Sequence, residues 1–314
     1  MVLGVVFVQI ATQSPRDGAE AAGAPRLATP PGSFPCAVTL STGDTFTLER
    51  RPERIVAANT GVVEFLADWV APGRLAAVPA EIATYSMVGA REDWAAVPRF
   101  PSYSAEVLLA LEPDLVLAHA WQSAQTAELL RENGVPVLVL EAPRDWQAIL
   151  QTLELLGALL GEPDDARAEI AALEERRERL RERARPWRGQ RALSYSNFGT
   201  GSLTAGRGTS FSVLTALAGL ENAAAAAGLE GHVELGHEKL LTLDPDVLVV
   251  AGPSEDGGFA PAEAALSGAR ELQGLRALRE ERIARMPPKL FATNSIALLD
   301  AAEALAAELE RLTP

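Results

Sequence analysis

At 314 residues the chain is longer than one compact core usually absorbs, so two domains are expected. Hydrophobic content of 48% and charged content of 22% are those of an ordinary globular protein, while a net charge of −14 argues against a nucleic-acid or anionic-membrane partner. Cys36 is the single cysteine, which excludes an internal disulfide, a thiolate zinc site and an iron–sulfur cluster, and leaves the compartment open.

Met1 to Thr12 (MVLGVVFVQIAT) is apolar but shorter than the roughly 20 residues a membrane-spanning helix needs. It reads as a signal-peptide core or anchor without the usual basic flank, or else as an N-terminal strand. The Ala-, Gly-, Pro- and Ser-rich residues behind it read as a disordered tether, so residues 1–33 are set apart. Export is the favoured reading, although Cys36 lacks the small residues expected before a lipidated cysteine.

From Cys36, CAVTLSTGDTFTLE alternates around Thr42-Gly43-Asp44 and predicts a β-hairpin. Residues 54–58, 75–78, 115–118 and 135–140 read as buried strands, with helices over 60–69, 104–111 and 122–133 among them. Such alternation means a parallel sheet covered on both faces. Asn133-Gly134 supplies the stop for the third of these helices.

A helix over 145–160 ends at Gly161-Glu162-Pro163, and a second runs from Asp164 to about Arg185. Its apolar positions Ala166, Ile170, Leu173, Leu180, Ala184 and Trp187 recur at helical spacing. Its other face carries Glu175–Arg179 and similar pairs, a solvated face compatible with a helix about 30 Å long that joins two lobes. A second α/β unit follows, with strands at 191–195, 247–250 and 282–286 and helices over 211–218, 236–241, 262–270 and 295–312. The predicted organisation is an N-terminal lobe over 34–162, a linking helix over 163–187 and a C-terminal lobe over 188–314.

The most informative feature is an internal repeat. SAEVLLALEPDLVLA recurs as GHEKLLTLDPDVLVV, pairing Glu106 with Glu238, Pro113 with Pro245, and Asp114 with Asp246. Each copy reads as a short helix, a Pro-Asp turn and a buried strand, because proline fixes its own φ and disfavours helix in the residue before it. Two such copies imply two similar sheets, with ligand at the carboxyl ends of their strands.

These residues, together with RPERIV at 51–56, LELLG at 153–157, AGRGT at 205–209 and AGLENA at 218–223, resemble the solute-binding proteins of ABC importers for ferric siderophores, haem and cobalamin. The resemblance covers Phe34 to Pro314. It implies two Rossmann-like α/β lobes with parallel sheets bridged by a single long helix, and a ligand cleft between the lobes. It also implies that Glu106 and Glu238 dock a permease dimer, pairing with its arginines, and that a separate ATPase powers transport.

The resemblance places ligand contacts on strand-end loops. The candidates are Thr60, Tyr85, Arg99, Phe100 and Trp121 in the first lobe and Arg207 and His232 in the second, with Tyr103, His119, Phe198 and Phe211 as further aromatics. Trp121 follows the strand where relatives commonly present a contact. Arg99 and Arg207 would clamp an anionic siderophore; Tyr85, Phe100 and Trp121 would line a corrinoid. Arg99 stands where haem-binding relatives place tyrosine. No cofactor, no metal of the protein's own and a monomer are expected. His237-Glu238 does not extend to HExxH, and no P-loop, GxGxxG or GxSxG is present, so the chain reads as a non-enzyme. The competing reading is a sensor of the same fold for another small solute, such as haem or an oxyanion.

Overall fold

The computed structural model describes residues 25–312, apart from 41, 198–200, 254–260 and 292 and the side chain of 261. The first twelve residues and Phe198 therefore lie outside the described residues. The described residues fall into two compact units, an N-terminal one over 25–174 and 294–297 and a C-terminal one over 175–293 and 298–312. The chain passes from one to the other within the helix Pro163–Arg183, and again on each side of Asn294–Ala297.

The N-terminal unit opens with β1 (Arg26–Leu27), β2 (Cys36–Thr39) and β3 (Thr45–Leu48), an antiparallel sheet in that order. β2 and β3 are the expected hairpin, but β1 lies inside the stretch assigned to a tether. Its pairing with β2, Arg26 opposite Thr39, is a long-range contact that local composition cannot reveal. Cys36 is fully buried, with Sγ 3.8 Å from the Ala158 carbonyl oxygen, so its thiol is part of the core.

The main sheet of this unit comprises β4 (Ile55–Ala57), β5 (Leu75–Pro79), β6 (Arg99–Phe100), β7 (Leu115–His119) and β8 (Val137–Leu140). All neighbours are parallel, in the order β6-β5-β4-β7-β8. Burial on both faces explains why the central strands read as unbroken apolar runs. β6 has only two residues and escaped the sequence reading. The helix Ala124–Glu132 ends as expected, with Gly134 at φ +80° and the Val135 N–H returning to the Leu130 carbonyl at 3.0 Å.

The C-terminal unit contributes β9 (Arg191–Ser194), β10 (Ser196–Asn197), β11 (Ser202–Ala205), β12 (Glu221–Asn222), β13 (His232–Glu234), β14 (Val247–Ala251) and β15 (Ile283–Met286). A parallel sheet runs β12-β9-β14-β15, and a small antiparallel sheet runs β10-β11-β13. The small sheet was not anticipated from the sequence.

The repeat has a shared physical basis. Asp114 accepts hydrogen bonds from the backbone N–H groups of Glu53 (2.8 Å) and Arg54 (2.9 Å), just before β4. Asp246 accepts the Arg191 N–H at 2.8 Å, at the start of β9. Each carboxylate thus anchors the beginning of the strand beside its own. The preceding turns match as well: Glu112 and Asp244 occupy equivalent positions with φ of 48° and 34°. Arg54 of the RPERIV motif donates to the Glu112 and Leu111 carbonyls at 3.0 and 2.6 Å, closing the same turn from outside.

The Pro163–Arg183 helix buries Ala166, Leu173 and Leu180 along the expected stripe. Its charged face is not wholly solvated: in the C-terminal unit, Arg176 pairs with Asp300 and Glu303, and Arg183 with Glu310, on the helix Leu298–Leu312. That last helix begins three residues later than expected because Asn294–Ala297 is part of the N-terminal unit, where the Ser295 hydroxyl donates to the buried Glu64 carboxylate.

Gly157 of LELLG lets helix Trp146–Leu160 meet the next helix: a Cβ built there would lie 2.3 Å from Ala166 Cβ. Gly157→Ala is therefore expected to destabilise the protein by about 1–3 kcal/mol, through overpacking that outweighs alanine's better helix propensity. A urea midpoint equal to or above that of the parent would contradict this packing assignment.

Candidate functional site

The parallel sheet of the N-terminal unit has its topological switch point between β4 and β7. From β4 the chain builds outward to β5 and β6, and from β7 it builds the other way to β8. Ligands of open α/β sheets bind beyond the strand carboxyl ends at such a point. The residues following β4 are Ala58, Asn59 and Thr60; those following β7 are Ala120, Trp121 and Gln122.

Asn59 caps the helix Thr60–Leu66, its side-chain oxygen accepting the Val62 N–H at 3.0 Å, and half-buried Thr60 is the first helical residue. The side-chain amide nitrogen of Asn59 donates to Gln122 Oε1 at 2.9 Å. That same oxygen accepts the backbone N–H of His119 at 2.9 Å, and Gln122 Nε2 donates to the Ala58 carbonyl at 2.9 Å. One glutamine amide therefore bonds the ends of both strands that flank the switch point. Between them Trp121 stands 51% exposed, an unusual position for a large aromatic.

Beneath Trp121 lies His119, 6% exposed, with ring centroids 5.9 Å apart and planes inclined at 38°. Neither imidazole nitrogen has a hydrogen-bond partner among the described residues. Burial disfavours the charged ring and lowers its pKa from 6.5 to about 4. A second polar group is buried nearby in sequence to the β4 loop. Glu64, 5% exposed, accepts the Ser86 hydroxyl at 2.8 Å as well as that of Ser295, and Ser86 precedes the half-exposed Met87.

The other first-lobe candidates divide. Tyr85 ends the short helix Ile82–Tyr85 after β5 and is half-buried. Arg99 is exposed and its guanidinium donates to the Trp94 carbonyl at 3.2 Å. Phe100, expected as a ligand contact, is instead 3% exposed and packed in a core cluster with Val56, Ala77 and Val116. The alternation of β6 turns its ring inward, which a two-residue strand does not announce in sequence. Tyr103 packs against the same cluster.

In the C-terminal unit the switch point falls between β9 and β14, and β10 continues directly from β9. His232 starts β13 opposite Ala205 and is exposed; Arg207 is exposed and pairs with Glu230 at 3.4 Å. Phe211, at 6% exposure, is core. Glu106 and Glu238 each sit in the first turn of a short helix, Ala105–Leu109 and His237–Leu243, and both are exposed.

A model of the periplasmic binding protein family matches residues 55–290. The chain belongs to that family. It is 27% identical over 234 residues to the cobalamin-binding protein of Halobacterium salinarum, covering 74% of this chain and 62% of that relative's length. It is 30% identical over 221 residues to the Fe(3+) dicitrate-binding periplasmic protein of Escherichia coli, covering 68% and 70% of the two chains. Among solved structures, the periplasmic heme-binding protein of Pseudomonas aeruginosa superposes with a TM-score of 0.68 at 26% identity, covering 82% of this chain and 92% of that one. The family is one of binding proteins, not enzymes. Among the described residues there is no group of three or more potential metal-ligating His, Cys, Asp or Glu, and no helix long and apolar enough to cross a membrane.

A groove of about 1020 Å³ runs beside edge strand β8, lined by Phe46, Val137 and Val139 among others. Ala120, at the switch point, also lines it, but none of the candidate ligand residues does.

The reading overlooked Asn59, Glu64 and Gln122. Asn immediately before a helical pattern is a legible cap signal; a glutamine three residues beyond a histidine-ended strand carries none.

His119 generates a pH prediction. The unfolded chain binds the proton with its ordinary pKa near 6.5, whereas the folded chain resists it down to about 4. Its contribution is absent above pH 6.5, and stability falls as pH drops through this window, by about 3 kcal/mol at the acid end. Denaturant titrations at pH 7, 5.5 and 4 are expected to show a smaller decline for His119→Leu than for the parent. Parallel declines would mean that His119 is protonated in the folded state.

Proposed function

We propose that this chain is the extracytoplasmic solute-binding component of an ABC importer, taking an iron complex or a corrinoid and delivering it to a permease dimer driven by its ATPase. The observation that carries the reading is the family match over 55–290, which spans the strand-end positions of both units. Relatives whose names specify cobalamin, ferric dicitrate and heme support the solute class.

In this reading Trp121 offers its exposed face to the solute, with Thr60 beside it across the β4–β7 switch point and Tyr85 and Arg99 on neighbouring loops. Arg207 and His232 are the second unit's contacts. An indole stacks on a flat conjugated or apolar surface, and the arginines suit the carboxylates that ring many chelates. The protein itself contributes no resident cofactor. Glu106 and Glu238 are the permease-docking carboxylates: each is exposed, in a helical first turn, on equivalent elements of the two units. Export across the membrane and a monomeric state complete the proposal.

A thermal-shift panel with cyanocobalamin, ferric dicitrate, ferric hydroxamates and haemin tests the solute class. A ligand at 100 times its Kd adds about 2.7 kcal/mol and raises the melting temperature by several degrees. No shift with any of them would refute the iron-complex and corrinoid assignment. Glu106→Arg combined with Glu238→Arg is expected to abolish uptake in cells while leaving the measured Kd unchanged. Undiminished uptake would refute the docking role.

A further inference from the structure

We infer that Gln122 is the positioning residue of the switch-point site, holding the turn that presents Trp121 and coupling it to the loop after β4. The inference rests on the proposed role of Trp121 as a solute contact, and it adds a residue that no resemblance pointed to.

The geometry is a turn closed twice by one residue. The Gln122 backbone N–H donates to the His119 carbonyl at 2.9 Å, and the His119 backbone N–H donates to Gln122 Oε1 at 2.9 Å. His119, Ala120, Trp121 and Gln122 therefore form a four-residue turn whose two end residues are bonded in both directions. Trp121 occupies its third position. The Ala120 N–H is taken by the Leu140 carbonyl at 2.9 Å, tying the turn's other central residue to β8. Ser123 then caps the helix Ala124–Glu132. An exposed indole gains little orientation from packing; here the residues on both sides of it are held by backbone hydrogen bonds, so the ring is carried on a rigid mount.

The remaining bonds of Gln122 cross to β4. Its Nε2 donates to the Ala58 carbonyl and its Oε1 accepts from Asn59 Nδ2, both at 2.9 Å. Asn59 is committed in turn to the cap of Thr60–Leu66. The positions of Thr60 and Trp121 are thus set by one connected set of amide hydrogen bonds. A carboxamide is the side-chain group that meets this demand, because it offers an acceptor for two N–H groups and a donor for a carbonyl at once. Glutamate keeps the acceptor and loses the donor, and alanine loses both.

The test uses the full chain with Gln122→Ala, Gln122→Glu, Trp121→Phe and the corresponding double variants. The emission of Trp121 is isolated as the difference between each protein and its Trp121→Phe partner. Its acrylamide quenching and anisotropy are then compared with and without Gln122. The quenching constant is expected to rise and the anisotropy to fall in Gln122→Ala, with an intermediate change in Gln122→Glu if the alanine variant proves too unstable to purify. Cyanocobalamin, ferric dicitrate and haemin serve as binding probes. The affinity for the probe that the parent binds is expected to fall about tenfold in Gln122→Ala, and to fall no further when Gln122→Ala is added to Trp121→Phe. Equal losses in both backgrounds would mean a general structural role and overturn the inference. So would Trp121 emission that is indifferent to Gln122. Emission that responds, with probe binding indifferent to Trp121→Phe, would support the mount and overturn only the solute contact proposed for Trp121.

Discussion

The pairing of a carboxylate with the first backbone N–H groups of a neighbouring strand is the contact on which the architecture of both units depends. Asp114 fixes the start of β4 beside β7, and Asp246 fixes the start of β9 beside β14. These are the central strand pairs of the two parallel sheets. A charge-assisted bond to backbone N–H at one end of a short strand sets the register of the pair, because a slip of one residue would reverse every buried side chain. With strands of only three to five residues, a fixed start also fixes where the carboxyl ends fall. The switch-point loops are therefore located by contacts at the opposite edge of the sheet.

At the carboxyl ends the pattern is the converse: polar side chains are buried with few or no escapes to water. Half-buried Gln122 and fully buried Asn59 satisfy each other and the strand ends, so withdrawing them from water carries little cost. Glu64 is likewise supplied with hydroxyl donors by Ser86 and Ser295. His119 is the exception, buried under Trp121 with both ring nitrogens unpaired among the described residues, and its depressed pKa is the electrostatic expression of that cost.

The elements most legible in sequence were those with strong local signals. The hairpin at Thr42-Gly43-Asp44, the stop at Gly134, the stripe along Pro163–Arg183 and the Pro-Asp turns all follow from φ preferences and periodicity within a dozen residues. β1, β6 and the β10-β11-β13 sheet were missed because strands of two to four residues take their identity from a partner, not from their own pattern. Phe100 and Phe211 misled for a related reason: an aromatic beside a predicted loop reads the same whether its ring faces solvent or core. The charged face of Pro163–Arg183 reads as solvated, and only the arrival of the C-terminal helix gives Arg176 and Arg183 their partners Asp300, Glu303 and Glu310.

Sequence alone determined the fold class, the duplication and the family, because these are written in recurring spacings that survive without knowledge of any contact. It also placed Trp121, Glu106 and Glu238 at strand and helix ends, since those ends are marked by proline, small residues and caps. Only the tertiary structure decided which polar side chains organise the site. Asn59 and Gln122 lie 63 residues apart, Glu64 and Ser295 lie 231 apart, and nothing in either residue's neighbourhood encodes its partner. A hydrogen bond between distant segments exists only after the fold has brought the two side chains within about 3 Å, so its chemistry is a property of the fold and not of any stretch of chain.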